Sequence, residues 1–173
     1  MILALAAMML VACSPNAGNN PGDDTETEEP GTNPDNPGTD VPEVELPEGA
    51  PTEVNGTLAA LKEALNSNVE DNVLAGNLLS VVCGIGQQEA SAGSDNPKVD
   101  ETFMINGAKL DTDSMDAYFW GSFLMKTEDM SMHANGRVSV FGLVFDINGT
   151  MSETGGSVTV NGTDYTFSPD DVM

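Results

Sequence analysis

All nine aromatic side chains of this 173-residue chain lie between Phe103 and Phe167. Aromatic residues bury large apolar areas, and a domain with so few of them needs most of them in its core. We therefore expect the core to be built mainly by the C-terminal part of the chain. Residues 51–173 are 123 residues, which is enough for one small domain.

The segment 14–50 has a composition that argues against a core. It is rich in Pro, Gly, Asn and Thr, lacks aromatic residues, and carries ten acidic side chains without a Lys or Arg. Such a segment buries too little apolar surface to offset the entropy lost on ordering. We expect residues 13–50 to form a disordered acidic tether in front of the domain.

The first ten residues, MILALAAMML, carry no polar or charged side chain. They are typical of the apolar part of a signal peptide and are too short to cross a hydrocarbon core of about 30 Å. The run LVAC that ends at Cys13 resembles the lipobox of bacterial lipoproteins. The resemblance implies that residues 1–12 are cleaved off as a signal peptide. It also implies a diacylglycerol on the Cys13 thiol and an acyl chain, such as palmitate, on the new amino group.

Lipidation at Cys13 would anchor the protein without help from the rest of the chain, because two or more acyl chains hold a protein stably at a membrane. In enteric-type sorting, Ser14 after the cysteine favours the outer membrane. We expect a lipid-anchored protein of the bacterial cell envelope, at the outer membrane, and surface exposure is a further hypothesis. The second cysteine, Cys83, lies in an apolar run and is interpreted as a buried, inert thiol.

The formal net charge of −23 argues against nucleic-acid partners and against docking on anionic lipid. Once Cys13 is lipidated, the one histidine and the one remaining cysteine cannot supply a tetrahedral zinc shell without carboxylates. Gly84-Ile85-Gly86 lacks the third glycine of a dinucleotide fingerprint. No cofactor and no metal is predicted.

The start of the domain, residues 57–83, is predicted to be helical. Thr57 can cap a first helix in which Leu58, Leu61 and Leu65 recur on one face. The run SNVE at 67–70 has the form of a capping box for a second helix, and Gly84 could end that helix. Two short antiparallel helices are favoured, with a strand over 78–85 as the alternative, and a polar loop over about 87–100 follows.

The region 102–168 shows period-two patterns and repeated Asn-Gly steps, which favour two-residue type I′ hairpin turns. A turn at Asn106-Gly107 would place four apolar residues on one face: Phe103, Ile105, Ala108 and Leu110. A turn at Asn161-Gly162 would pair Val160 with Thr163 and Val158 with Tyr165, with Phe167 on the same side. Thr159, Asp164 and Thr166 would then face water.

The steps Asn135-Gly136 and Asn148-Gly149 are predicted to bound one longer strand, RVSVFGLVFDI, with a bulge or bend at Gly142. The run AYFWGSFLMK is interpreted as a strand, and a short helix capped by Ser114 is the alternative. The predicted fold class is α+β, with a short N-terminal helical pair before an antiparallel sheet of hairpins. With about six strands, this sheet would be sandwich-like or partly closed.

Few residues are suited to catalysis. Asp111, Asp113 and Asp116 do not match an EF-hand loop and are interpreted as an acidic turn, although a calcium site of another kind is left open. The single histidine, His133, has no motif around it. The sequence therefore predicts a protein that is not an enzyme.

Tyr118, Trp120 and Phe123 form the one candidate binding platform. Exposed aromatic clusters mark contact surfaces, and the alternative is that these side chains belong to the core.

The favoured function is a structural or binding domain at the cell surface, held by lipid on Cys13, with a protein or glycan partner. A periplasm-facing accessory subunit of an assembly or uptake system is one alternative. A small hydrolase with a carboxylate pair is the other.

Overall fold

Among the described residues, two helices precede six strands. The computed structural model describes residues 45–92, 97–112 and 115–171. The helices are α1 (Leu58–Leu65) and α2 (Asp71–Ser91). The strands are β1 (Phe103–Lys109), β2 (Ala117–Met125), β3 (Met132–Val140), β4 (Leu143–Ser152), β5 (Gly155–Val160) and β6 (Thr163–Phe167). A short 3₁₀ turn, Pro169–Asp171, follows β6.

The six strands form one antiparallel sheet in the order β1-β2-β3-β4-β5-β6, so each strand pairs with its neighbours in sequence. This confirms the mixed α+β class and the strand count. The sheet is open, because β1 and β6 are its two edges, and the predicted sandwich-like or partly closed arrangement is wrong. A single sheet suffices because α2 covers one of its faces and supplies the second layer of the core.

Helix α2 packs across the sheet and contacts all six strands. We call the covered side the inner face and the opposite side the outer face. Buried residues of α2 include Leu78, Leu79, Val82 and Ile85. At Gly86 the helix packs directly on the sheet, and a Cβ atom there would overlap the ring of Phe123. A side chain at Gly86 would therefore force the ring or the helix to shift.

The helical region differs from the predicted one in its boundaries. Thr57 caps α1 as expected, with its Oγ1 accepting a hydrogen bond from the Ala60 N–H at 3.1 Å. Leu65 is 39% exposed and lies outside the core. Helix α2 has 21 residues and continues past Gly84 into the predicted polar loop, so it is not short. The strand alternative for 78–85 is wrong.

The capping box predicted at 67–70 is also wrong. The N-cap of α2 is Glu70, which makes no side-chain capping bond, and the Ser67 hydroxyl instead accepts from the Val69 N–H at 3.4 Å. The reason is local: α1 ends on Asn66 in the left-handed conformation, and Ser67 donates its own N–H to the Lys62 carbonyl at 2.9 Å. Ser67 therefore belongs to the end of α1, and it does not begin α2.

Three two-residue turns connect β3 to β6, and only one of them matches a predicted turn. Asn161-Gly162 has φ values of +50° and +81°, as a type I′ turn requires. Its register pairs Val160 with Thr163 and Val158 with Tyr165, as expected. Phe141-Gly142 forms the β3–β4 turn, with φ values of +53° and +77°, and is not a bulge within one strand. Glu153-Thr154 forms the β4–β5 turn.

The turns predicted at Asn135-Gly136 and Asn148-Gly149 are therefore wrong, because both steps lie inside paired strands. Asn135 is the partner of Asn148, and Ala134 is the partner of Gly149.

The turn predicted at Asn106-Gly107 is a β-bulge inside β1. The register with β2 shifts between Asn106 and Ala108, and Gly107 has a φ of +70°. The bulge inserts one residue, so Ile105 and Ala108 face the same side, just as they would across a two-residue turn. The expected grouping of apolar residues is therefore kept with a different backbone.

The run AYFWGSFLMK forms β2, as the strand interpretation predicted. Cys83 lies in α2, is 2% exposed, and burial raises the pKa of its thiol to about 12. The signal peptide, Cys13 and most of the tether lie outside the described residues. In the described part of the chain, no helix combines the length and the apolar character needed to cross a membrane.

The close approach at Gly86 gives a test of the packing. Gly86→Ala should lower the free energy of unfolding by about 1–3 kcal/mol, because the new methyl group overlaps the buried Phe123 ring. Urea unfolding of the full chain, followed by circular dichroism, measures this change.

Gly84→Ala is the matched control in the same helix. Its new Cβ would lie 3.3 Å from the end of the Leu110 side chain, which can move. Alanine gains up to about 1 kcal/mol of helix propensity over glycine, so this variant should be as stable as the wild type or more stable. Equal stability of the two variants would contradict the packing described for α2.

Candidate functional site

The outer face of the sheet carries two partly exposed aromatic side chains on β2. Strand β2 alternates, so that Phe119 and Phe123 point to the inner face and Tyr118 and Trp120 to the outer face. The register places Trp120 between Asn106 of β1 and Arg137 of β3. Tyr118 and Trp120 are each partly exposed.

Tyr118 and Trp120, called here the aromatic pair, stack on each other. Their ring centroids are 6.1 Å apart and the ring planes differ by 27°. Gly107 lies beside the indole, and a Cβ on this residue would come within 2.8 Å of Trp120 Nε1. The β1 bulge therefore lets the indole lie close to the backbone of the edge strand. The result is two nearly parallel rings whose register partners on the neighbouring strands are polar or charged.

Phe123 does not belong to this surface. It is fully buried and makes an edge contact with Phe103, with ring centroids 5.7 Å apart. Strand alternation puts it on the opposite side of the sheet from Trp120. The candidate platform is therefore reduced to Tyr118 and Trp120, and Phe123 holds the sheet against α2.

The charged groups nearest the aromatic pair are arranged as ion pairs. Lys109, the register partner of Tyr118, places its Nζ 2.6 Å from Asp116 and 5.8 Å from the Tyr118 ring centre. Arg137, the partner of Trp120 on β3, donates from Nε to Asp146 of β4 at 2.7 Å. Exposed pairs such as these add little stability, but each compensates the charge of a side chain that lies beside the rings.

The segment 45–56, called here the strap, reaches the outer face. Arg137 Nη1 donates to the carbonyl oxygen of Pro51. At its far end the strap is fastened to the backbone of Val144 in β4. The Val144 N–H donates to Asn55 Oδ1 at 2.7 Å, and its carbonyl accepts from the Gly56 N–H at 2.8 Å. These bonds satisfy backbone N–H and carbonyl groups of β4 in the part of the strand that does not pair with β5.

A partly open cavity of about 210 Å³ lies next to the strap. Amide, hydroxyl, carboxylate and aliphatic groups line it: Leu46, Asn135, Gly136, Asp146, Ile147, Asn148, Thr159 and Gly162. We call it the polar cavity after the amides in its wall, although apolar surface makes up the larger part of its lining. Leu46 belongs to the segment that composition assigns to the tether. The Asn148 Oδ1 atom is buried and has no hydrogen-bond partner among the described residues. A buried acceptor left in this state costs about 1–3 kcal/mol relative to a satisfied one.

The sequence does not point to the polar cavity. Asn135 and Asn148 each precede a glycine, and this pattern favours a turn over a cavity wall. Thr159 is expected on the water-facing side, and that orientation is confirmed by its hydrogen bond to Asp164 Oδ1 at 2.6 Å. One step in the sequence, Phe141-Gly142, could have indicated the polar cavity. If this step is interpreted as the β3–β4 turn, the register makes Asn135 and Asn148 direct partners.

His133 belongs to a hydrogen-bonded network at the other end of β3. Its Nε2 is 3.1 Å from Ser131 Oγ, and its Nδ1 is 3.0 Å from Thr150 Oγ1. Ser131 gives its hydroxyl proton to Asp129 at 2.6 Å, so His133 Nε2 is the donor to Ser131 and Nδ1 accepts from Thr150. In a catalytic triad the carboxylate would bind the histidine instead. Ser131 is also buried, so this network holds a loop in place.

Two described residues of the acidic turn at 111–116 make polar contacts with other parts of the domain. Asp116 pairs with Lys109, and the Asp111 N–H donates to Gln88 Oε1 at 2.8 Å. Asp113 lies outside the described residues. Among the residues that are described, no three His, Cys, Asp or Glu side chains come together as a metal site would require.

Comparison with protein-family models, with curated proteins and with solved structures finds no match to this chain.

The His133 network predicts a pH dependence of stability. Burial, together with the positive charge of Lys126, lowers the pKa of His133 below its ordinary value of 6.5, and Asp129 opposes this only in part. Below pH 6.5 the unfolded chain therefore binds a proton that the folded chain does not yet bind. The free energy of unfolding should fall as the pH is lowered from about 7.5 to about 5.5.

Replacing His133 by Gln removes the titrating group, so the variant should lose less stability than the wild type over this range. Urea unfolding at both pH values measures the difference. The carboxylates of Asp100, Asp129 and Asp171 have pKa values lowered by hydrogen bonds from Thr127, Ser131 and Ser168, so they titrate at lower pH in both proteins. The same pH dependence in both proteins would refute the role given to His133.

Proposed function

We propose that this chain is a lipid-anchored protein of the bacterial cell envelope whose domain binds a glycan on its outer face without catalysis. The observation that carries the binding function is the stacked aromatic pair. The faces of sugar rings carry C–H groups that pack on aromatic rings, while their hydroxyl groups bind amides and hydroxyls around the rim. Tyr118 and Trp120 offer such ring faces, and Asn106 and Ser139 lie opposite them on the neighbouring strands.

The charge of the protein favours a neutral glycan over other partners. The chain has a net charge of −23, which repels nucleic acids and acidic polysaccharides. The charged side chains nearest the aromatic pair are already in ion pairs with Asp116 and Asp146. A ligand that brings no charge can bind without separating them.

The membrane anchor rests on the lipobox resemblance at Cys13. A domain that binds glycans gains from a long acidic tether, because the tether places the domain away from the bilayer and lets it search a volume around its anchor. Outer-membrane location and display at the cell surface are part of this proposal.

Trp120→Ala should weaken glycan binding about tenfold or more, because the substitution removes most of the aromatic surface that the sugar ring would cover. The full chain is first screened against a panel of neutral polysaccharides, and affinities for the strongest ligand are then measured by calorimetry. Phe141→Asn is the control: Phe141 is an exposed aromatic at the β3–β4 turn, and Asn is well suited to its positive φ.

The control variant should bind as the wild type does. Equal binding by Trp120→Ala, or no binding of any panel member by the wild type, would contradict the proposed glycan-binding function.

Cys13→Ala should abolish lipid labelling in cells fed a tagged fatty acid, and it should move the protein out of the membrane fraction. The reason is that the proposed lipid is attached through the Cys13 thiol. Cys83→Ala is the matched control, since the Cys83 thiol is buried and unreactive, and it should keep both properties. A Cys13→Ala protein that remains in the membrane fraction would refute the anchor.

A further inference from the structure

The polar cavity lies on the same face as the aromatic pair and begins one strand away from it. Trp120 on β2 is opposite Arg137 on β3, which in turn is opposite Asp146 on β4. In the next row toward the other end of the strands, Asn135, Asn148 and Thr159 are successive partners on β3, β4 and β5. From β2 to β5 the outer face spans roughly 14 Å, which is more than one sugar ring covers.

The walls of the polar cavity suit a neutral, hydroxyl-rich group. Asn135 and Asn148 contribute amides, and Leu46 of the strap contributes an aliphatic side. The Thr159 hydroxyl proton is given to Asp164, which leaves the Thr159 oxygen as an acceptor. The one carboxylate in the wall, Asp146, is paired with Arg137. A charged ligand would therefore find no free countercharge among these residues.

Asn148 belongs to the wall of the polar cavity and is partly exposed, while its Oδ1 is buried and lacks a hydrogen-bond partner among the described residues. A sugar hydroxyl is both a donor and an acceptor, so it can bond to an amide of the wall in either role. The volume of about 210 Å³ is enough for one small ring-shaped polyol.

We propose that the polar cavity is a second sugar subsite, and that the ligand is a neutral oligosaccharide chain. One unit of the chain stacks on Trp120, and a later unit enters the polar cavity between Leu46 and the Asn148 amide. This inference rests on the proposed glycan-binding function and adds to it a minimum ligand length and a second set of contacts. Short fragments contact the aromatic pair alone, whereas longer fragments contact both subsites.

Fragments of graded length test the inference. The full chain is titrated by calorimetry with maltooligosaccharides, cello-oligosaccharides and mannooligosaccharides, and each series begins at the monosaccharide. In the series that binds, affinity should rise with length until the fragment reaches the polar cavity, and then level off. Shifts of the Asn148 side-chain amide signals in NMR spectra should occur with long fragments and not with the shortest ones.

Asn148→Leu removes the amide and fills part of the polar cavity, and it breaks no hydrogen bond of Oδ1 to a described residue, so the fold should be kept. It should weaken binding of long fragments about fivefold to tenfold, as the loss of a ligand hydrogen bond does, and leave the shortest fragment unaffected. Thr166→Val is the control on the same face, since Thr166 lies on β6 as the partner of Ser157, outside the polar cavity.

The two proposals fail in different ways. If Trp120→Ala weakens every fragment but Asn148→Leu binds long fragments as the wild type does, the polar cavity holds only water and this inference is overturned. A wild-type affinity that does not change with fragment length overturns it as well. If no series binds, or Trp120→Ala has no effect, the glycan-binding function itself is overturned and the second subsite with it.

Discussion

The contact between Gly86 of α2 and the ring of Phe123 determines how the domain is layered. A helix can lie this close to a sheet only where it has no side chain, and the aromatic ring fills the space that the glycine leaves. Gly56 repeats the arrangement at the start of α1, where a Cβ would come within 2.6 Å of the Phe145 ring. At these two points of the core, one in α2 and one in the strap, an aromatic ring of the sheet fills the space beside a glycine. Close packing of this kind fixes the layer spacing and tolerates little change in volume.

Because one face of the sheet is committed to α2, strand alternation assigns every other strand residue to the opposite face. This rule explains why neighbouring aromatic residues have different roles. Phe119 and Phe123 are core residues. Tyr118 and Trp120 flank Phe119 in the chain but are partly exposed. The same rule gathers Asn135, Asn148 and Thr159 into one row across three strands. The position of the helix therefore decides which side chains lie on the outer face.

The sequence allowed us to predict which strand residues share a face of the sheet. It did not allow us to predict whether a turn or a bulge brings them there. The apolar grouping of Ile105 and Ala108 was correct because a bulge and a two-residue turn invert side-chain parity in the same way. The sequence cannot distinguish the two, and only the pairing of β1 with β2 does so. Asn-Gly is a strong turn signal only where nothing else competes for the segment. The strands on either side of Asn161-Gly162 pair with each other, so this step forms a turn. The other two Asn-Gly steps, at Asn135 and Asn148, lie opposite each other in the β3–β4 hairpin, whose turn is Phe141-Gly142. The aromatic pair was found from composition. The polar cavity depends on the strap, which lies far from the strands in sequence, and so could not be found in the same way.

The order of the strands has a consequence for how the domain reaches its native state. Since each strand pairs with the next one in the chain, the sheet can form hairpin by hairpin through short loops, and each step costs little closure entropy. Helix α2 is different, because its contacts extend from β1 to β6 and therefore join the most distant parts of the helix-and-sheet region. We expect the docking of this one helix, rather than strand pairing, to set the folding rate. Until α2 docks, the sheet exposes the rings of Phe119, Phe123 and Phe145 to solvent.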